Sequence, residues 1–123
     1  MLDRARFLRP WGFKVVSADE EKCTLELPHK ADLERPGGII NGPALMAAAD
    51  CAMWLAIKRH IGIEHDAVTS ELNTAFLNAA RRETVYCTAR VLKLGKRIIY
   101  GTAECHDRRG KLFTHHSVTY ARI

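Results

Sequence analysis

One carboxylate has an unusual setting, because it interrupts a long apolar stretch. Asp50 is the single charged residue between positions 44 and 57. At helical spacing its neighbours are Met46, Ala47, Met53 and Trp54, so the pattern places it on an apolar stripe. Burying an unpaired carboxylate is costly. Asp50 therefore either bonds a strand backbone or a buried arginine, or it serves as a reactive base or nucleophile.

A glycine-rich segment, Gly37 to Pro43, comes directly before this stretch. Pro43 is typical of the first position of a helix, and it predicts that the helix begins there. A helix N-terminus presents free N–H groups and the positive end of the dipole, which suit a developing oxyanion. Because proline has no N–H, the candidate donors are Gly42, Ala44 and Leu45.

These two features cannot act on one atom within a single helix. Gly42 and Asp50 are separated by about 12 Å along the axis at the helical rise per residue. A substrate lying between two protomers could meet the N-terminus of one helix and the carboxylate of the other. The spacing therefore predicts a site that needs a dimer.

The helix is predicted from Pro43 to about His60, with cations in its last turn and Gly62 as its cap. Since it is apolar all round, we expect it to be buried all round. A short helix from Leu2 to Arg9 is also expected. Alternation and turn residues predict strands on both sides of the long helix: Lys14–Ser17, Lys22–Leu27, Ala67–Leu77, Glu83–Leu94, Arg97–His106 and Lys111–Arg122.

The strand from Ala67 is expected to place Val68, Leu72 and Phe76 on one face and Thr69, Glu71 and Asn73 on the other. One apolar helix with five to six strands indicates an α+β fold, in which an antiparallel sheet curls around the helix. The chain, residues 1–123, is long enough for one such domain.

Composition narrows the classes of function. The net charge of +5 favours an anionic partner. No stretch is long and apolar enough to span a membrane, and no secretory signal is evident, so a cytoplasmic protein is expected. Four scattered cysteines indicate buried, reduced thiols, and no histidine spacing suggests a metal site. The aromatic residues do not interleave with basic ones as a nucleic-acid surface requires.

At these residues the chain resembles the hotdog-fold acyl-CoA thioesterases of the phenylacetate-degradation type. Their His-Gly-Gly loop opens the central helix, with an Asp or Glu nine residues after the His; here Asn41-Gly42-Pro43 and Asp50 stand at that spacing. The segments Ala67–Leu77 and Val91–Arg97 are also similar to family strands. The resemblance covers about Leu33 to Tyr120 and implies an antiparallel sheet wrapped around one helix.

The resemblance implies specific roles. Asp50 would be the general base or nucleophile, the Gly42 N–H the oxyanion donor, and Thr69 the residue that orients the attacking water. It also implies a dimer or tetramer with sites at the protomer interface and no cofactor. Asn41 replaces the family histidine; its amide can position a thioester carbonyl but cannot act as an acid, or it only shapes the turn.

Coenzyme A would be held by basic residues in turns, for which the family resemblance favours Arg81, Arg82, Lys96 and Arg97. For the acyl group, Met46, Met53 and Trp54 suggest an adaptable apolar pocket, although helix-core packing explains them equally well.

The leading interpretation is hydrolysis of an acyl-CoA thioester. The alternative, motivated by Asn41, is a domain that binds or senses acyl-CoA without turnover. A dehydratase is disfavoured, because the Asp/His arrangement that such chemistry uses is not evident.

Overall fold

A computed structural model describes residues 10–62 and 64–123. The predicted Leu2–Arg9 helix lies outside these residues. The described residues contain one α-helix, α1, which spans Gly42–Ile61 and is one residue longer at each end than expected, and one 3-10 helix, Ala31–Leu33. Eight strands accompany it: β1 Lys14–Ala18, β2 Lys22–Leu27, β3 Glu34–Arg35, β4 Ile39–Ile40, β5 Ala67–Phe76, β6 Val85–Leu94, β7 Ile98–His106 and β8 Leu112–Arg122.

Six of these strands form one antiparallel sheet in the order β1-β2-β6-β7-β8-β5. The inward side chains of this sheet and the buried face of α1 form the core. The short strands β3 and β4 pair separately, in the loop that leads into the helix. The predicted α+β architecture, one helix packed against an antiparallel sheet, is confirmed.

Capping explains where α1 begins and ends. The Asn41 side-chain oxygen accepts from the Ala44 N–H at 2.8 Å, which satisfies one of the free donors of the first turn. Gly62 ends the helix with a positive φ of 79°, a region that favours glycine. Lys58, Arg59 and His60 occupy the last turn, as predicted.

The helix is not buried all round, which corrects the sequence expectation. Met46, Ala47, Asp50 and Trp54 are half-buried, and they recur at helical spacing. They therefore form one stripe that the protein's own sheet does not cover. A single sheet packs on one side of a helix, so an apolar composition alone does not ensure burial of the other side.

A bulge in β5 overturns the predicted facing of its side chains. The pairing with β8 runs from Thr69 opposite Tyr120 directly to Glu71 opposite Thr119, so Ser70 is an extra residue. An extra residue reverses the inward and outward alternation beyond it. Thr69 therefore shares the helix-facing side with Leu72 and Phe76, while Val68 shares the outer side with Glu71 and Asn73.

The cysteines are buried and reduced, as expected, and the adjacent His115 and His116 point to opposite faces of β8. All four cysteines are buried free thiols. His116 is buried in the core and bonded to Thr74 and Thr114 at 2.8 and 2.7 Å, whereas His115 lies on the other face of β8 beside Glu104. Within residues 10–62 and 64–123, no cluster of three or more His, Cys, Asp or Glu side chains is arranged to hold a metal. In the same residues, no helix is long and apolar enough to cross a membrane.

Candidate active site

The Asp50 carboxylate lies on α1 against the inner side of the sheet, where strands β5 and β8 pair. The Thr69 hydroxyl donates to Asp50 Oδ1 at 2.7 Å. The Tyr120 hydroxyl donates to the same oxygen, also at 2.7 Å, and lies 3.1 Å from the Asp50 backbone oxygen. Two side-chain hydroxyls, rather than an arginine or a strand backbone, thus compensate the carboxylate. The structure thus brings Asp50 and Thr69 into direct contact.

The bulge in β5 makes this arrangement possible. Thr69 stands directly opposite Tyr120 in the ladder, so both side chains point to the same face of the sheet. Further along β5 the inward positions are 72, 74 and 76, and the bulge at Ser70 lets Thr69 face inward as well. Without this extra residue, Thr69 would point to the outer face of the sheet whenever Leu72 points inward.

A groove of about 440 Å³ opens beside these groups. We call it the Asp50 groove. Aromatic and apolar side chains dominate its wall, with polar groups from three elements between them: Trp11, Ala47, Asp50, Cys51, Trp54, Asp66, Ala67, Val68, Thr69 and Tyr120. An apolar wall with a few convergent polar groups is typical of a small-molecule site.

Cys51 also borders the groove but is unsuited to nucleophilic chemistry. Burial raises the pKa of its thiol to about 12, with further contributions from Cys23 and the Asp50 charge. Because the thiolate is the nucleophilic form of cysteine, a thiol that stays protonated at neutral pH is unreactive. The carboxylates of Asp50 and Asp66 are the acidic groups that line the groove, and of these two Asp50 is the one bonded to Thr69 and Tyr120.

Tyr120 is the residue that the sequence analysis missed. Burial raises the pKa of its hydroxyl far above the ordinary value, and the Asp50 charge adds to the shift. The hydroxyl is therefore a permanent donor at physiological pH. A signal existed: Tyr120 continues the inward alternation of His116 and Val118, and a buried tyrosine hydroxyl usually has a hydrogen-bond partner.

The N-terminus of α1 borders a second cavity, of about 340 Å³, which we call the Gly42 hollow. Its lining is formed mainly by the entry to the helix and the end of β5: Arg35, Ile39, Ile40, Gly42, Leu45, Phe76, Leu77, Asn78, Ala79 and Ala80. A Cβ on Gly42 would lie 3.1 Å from the Phe76 ring, so only glycine leaves the backbone N–H close to this wall without displacing the ring.

Asn41 is occupied with the local structure of the loop. Its Oδ1 caps the helix at Ala44, and its Nδ2 donates to the Leu33 carbonyl at 2.8 Å. The Asn41 backbone N–H donates to the same carbonyl at 2.8 Å. These bonds favour the alternative that Asn41 shapes the turn before the helix. They also fix the orientation of the first N–H groups of α1.

The Asp50 groove and the Gly42 hollow share no residue. The structure brings Asp50 together with Thr69, and it leaves Gly42 and Asn41 two helical turns away. Gly42 and Asp50 both lie in one continuous helix, so about 12 Å separates them along its axis. The helix therefore borders two separate cavities.

The three predicted acyl-contacting residues are in different settings. Trp54 lines the Asp50 groove. Met46 is half-buried on the same uncovered stripe of the helix. Met53 is fully buried against β7, where a Cβ on Gly101 would lie 2.5 Å from the Met53 methyl group. Met53 does not border the groove and packs in the core, as the alternative interpretation predicts.

The two predicted basic pairs lie at opposite ends of β6, whose length is about 30 Å at the rise of a strand. Arg81 and Arg82 follow Ala80, which lines the Gly42 hollow; Arg82 Nε lies 3.5 Å from the Glu34 carboxylate. Lys96 and Arg97 lie at the end of the sheet that carries Thr69, where the Arg97 carbonyl accepts from the Arg122 N–H. One cationic pair thus lies towards each of the two cavities.

Known proteins are similar to this chain in sequence and in architecture. Residues 37–114 match the sequence profile of the thioesterase superfamily. A protein of Thermoplasma acidophilum named as a candidate esterase is 31% identical over 114 residues, which cover 93% of this chain and 86% of that protein. A similarly named protein of Saccharolobus solfataricus is 30% identical over 80% of this chain and 70% of its own length.

Solved structures extend the comparison. A conserved protein of Pseudomonas aeruginosa superposes with a TM-score of 0.88 at 30% identity, covering 95% of this chain and 93% of that one. The PaaI protein from the phenylacetic acid degradation operon of Escherichia coli superposes with a TM-score of 0.91 at 22% identity, covering 100% and 88%. The chain adopts the hotdog fold and belongs to the thioesterase superfamily.

Proposed function

We propose that this protein hydrolyses acyl-CoA thioesters to the free acid and coenzyme A, as a hotdog enzyme of the phenylacetate-degradation type. One observation carries the proposal: a helix-borne carboxylate, held at one oxygen by Thr69 and Tyr120, borders an apolar groove of about 440 Å³. Membership of the thioesterase superfamily supports the thioester as the bond that is cleaved.

Asp50 supplies the reactive oxygen. As a base it takes a proton from water while the water oxygen attacks the thioester carbonyl carbon. The tetrahedral intermediate then expels the coenzyme A thiolate, which regains a proton. As a nucleophile, Asp50 would instead form an anhydride that water opens. The Thr69 hydroxyl, whose proton is directed at Asp50, keeps lone pairs that accept from the attacking water.

The oxyanion of that intermediate needs donors that the Asp50 groove of one protomer does not provide. The Gly42 N–H is the first of its helix and has no acceptor within the helix. We assign it as the oxyanion donor, supplied by the partner protomer to the substrate that Asp50 attacks. Asn41 positions this donor by capping the helix start rather than by contacting substrate.

The edge strand β5 supports a shared site. It spans ten residues, pairs with β8 on one side, and has no partner on the other among the described residues. Val68 and Phe76 on it are 47% and 57% exposed. Two copies of β5 paired antiparallel about a twofold axis would bring the end that carries Thr69 against the end that carries Phe76. That pairing would bring each Asp50 groove to a partner's Gly42 hollow.

The same pairing would unite the two cationic pairs at one site. Lys96 and Arg97 of one protomer and Arg81 and Arg82 of the other would then flank a single substrate. We propose that they hold the phosphates of coenzyme A, while Trp54 and Met46 contact the acyl group. A dimer is the smallest assembly that meets these requirements, and the family resemblance also permits a tetramer.

Buried, scattered cysteines suit the reducing cytoplasm, in which we place the protein.

A panel of acyl-CoA esters tests the proposal directly. Short, long and aromatic acyl groups are incubated with the protein, and the free thiol is measured. We expect release from at least one ester, and at least about a hundredfold slower release with Asp50→Asn protein. The competing function, acyl-CoA binding without turnover, is favoured by the Asn41 that replaces the family histidine. It predicts saturable binding by calorimetry with no thiol released from any ester.

A further inference from the structure

Two donors on one carboxylate oxygen make the two oxygens of Asp50 unequal. Both Thr69 and Tyr120 direct their hydroxyl protons to Oδ1. Within the described residues no group donates a hydrogen bond to Oδ2. Every buried polar side-chain atom in these residues has a hydrogen-bond partner, so Oδ2 is not a buried atom. Oδ2 is therefore accessible to solvent from the groove, whereas the lone pairs of Oδ1 are occupied.

Resting on the function proposed above, we propose that Tyr120 is a positioning residue, which together with Thr69 fixes Oδ1 of Asp50 and leaves Oδ2 as the single reactive oxygen. Tyr120 is 3% exposed, and its ring packs in the core, so its hydroxyl has little freedom to move. The Asp50 side chain, held through Oδ1, cannot rotate about its terminal bond without losing both donors.

Tyr120 and Thr69 approach Asp50 from different strands, β8 and β5. Because β5 is the edge strand, the Thr69 anchor depends on the bulge at Ser70, whereas the Tyr120 anchor belongs to an interior strand. Tyr120 also contacts the Asp50 backbone carbonyl at 3.1 Å, which ties the helix itself to β8. Tyr120 is therefore the stiffer of the two anchors.

The experiment compares Tyr120→Phe with wild-type protein, in the presence of the acyl-CoA ester that wild type cleaves best. Phenylalanine keeps the ring packing and removes only the hydroxyl. We expect kcat to fall by about ten- to a hundredfold with KM nearly unchanged, because a misplaced reactive group slows the chemical step more than binding. Tyr100→Phe is the matched control: Tyr100 is 38% exposed on the outer face of β7, so its loss should leave kcat unchanged.

The same change in an Asp50→Asn background identifies the route of the effect. If Tyr120 acts through the carboxylate, Tyr120→Phe causes no further loss there. A further loss would show that Tyr120 contacts the substrate itself and would overturn the positioning role. All proteins are assayed at a temperature at which circular dichroism shows them folded.

Failure of this inference is distinguishable from failure of the proposed function. Wild-type protein that cleaves no ester contradicts the function. Wild-type activity that Asp50→Asn lowers at least about a hundredfold but Tyr120→Phe leaves intact contradicts only the role of Tyr120.

Discussion

The two cavities along α1 differ in what they offer a substrate. The Asp50 groove presents side-chain chemistry, a carboxylate with two hydroxyls bonded to it. The Gly42 hollow presents backbone chemistry, the first N–H of a helix beside an apolar wall. Hydrolysis of a thioester needs both a reactive oxygen and a stabilised oxyanion. In the reaction we propose, neither cavity is sufficient alone, and a partner protomer would unite the two.

The largest effect is expected at the Asp50 groove. Asp50→Asn keeps the size and hydrogen-bonding capacity of the side chain and removes its reactive charge. Turnover should fall by about 10²- to 10⁴-fold, the usual contribution of a positioned base. The melting temperature should change little. A protein that instead loses stability, and activity only through unfolding, would show that Asp50 is a structural anchor.

At the Gly42 hollow, one substitution removes the backbone N–H, and a second serves as the control for the added side-chain atoms. Gly42→Pro deletes the donor at a helix position where proline is tolerated. Gly42→Ala retains the N–H and adds the same Cβ near Phe76, so it isolates the steric effect. The proline protein should be slower than the alanine protein by about 10²- to 10³-fold in kcat, the cost of a lost oxyanion donor. Equal activities would exclude this N–H from the reaction.

Thr69 also belongs to the Asp50 groove, and we expect its loss to have a smaller effect on turnover. Thr69→Val removes one of two donors to Asp50 Oδ1 and should slow turnover about tenfold, the effect of one hydrogen bond to a charged group. Thr69→Ser keeps the hydroxyl and should restore most of the rate. A valine protein with normal turnover would return Thr69 to a purely structural role.

The smallest effect concerns the cationic pairs, one near each cavity. The apparent affinity for acyl-CoA should weaken modestly from low to physiological ionic strength, because salt screens exposed charges. Glutamine at Arg81 and Arg82, or at Lys96 and Arg97, should reduce that salt dependence. Glutamine at Arg108 and Arg109 in another turn is the control. A salt-independent KM in the wild type would remove both pairs from the site.

Local signals in the sequence predicted much of this arrangement. An acid at helical spacing within an apolar run identified Asp50, and the glycine and proline before it located the start of α1. The turns and alternation placed the six strands of the main sheet to within two residues.

What the sequence did not reveal depends on long-range pairing. Tyr120 lies 70 residues from Asp50, and only the packing of the sheet on α1 brings them together. The bulge at Ser70 arises from the register of two distant strands, so simple alternation assigned Thr69 to the wrong face. Met53 and Trp54 are adjacent in an apolar helix, and only the position of the sheet buries one and leaves the other beside the groove.

Mixing two inactive proteins tests the division of the site most directly. Asp50→Asn and Gly42→Pro proteins are unfolded together, refolded as a mixture, and assayed for thiol release. In a mixed dimer, one of the two sites receives an intact Asp50 from one protomer and an intact Gly42 from the other. Random pairing should therefore recover about a quarter of wild-type activity. A mixture no more active than its separately refolded components would show that each protomer acts alone, and would contradict a shared site.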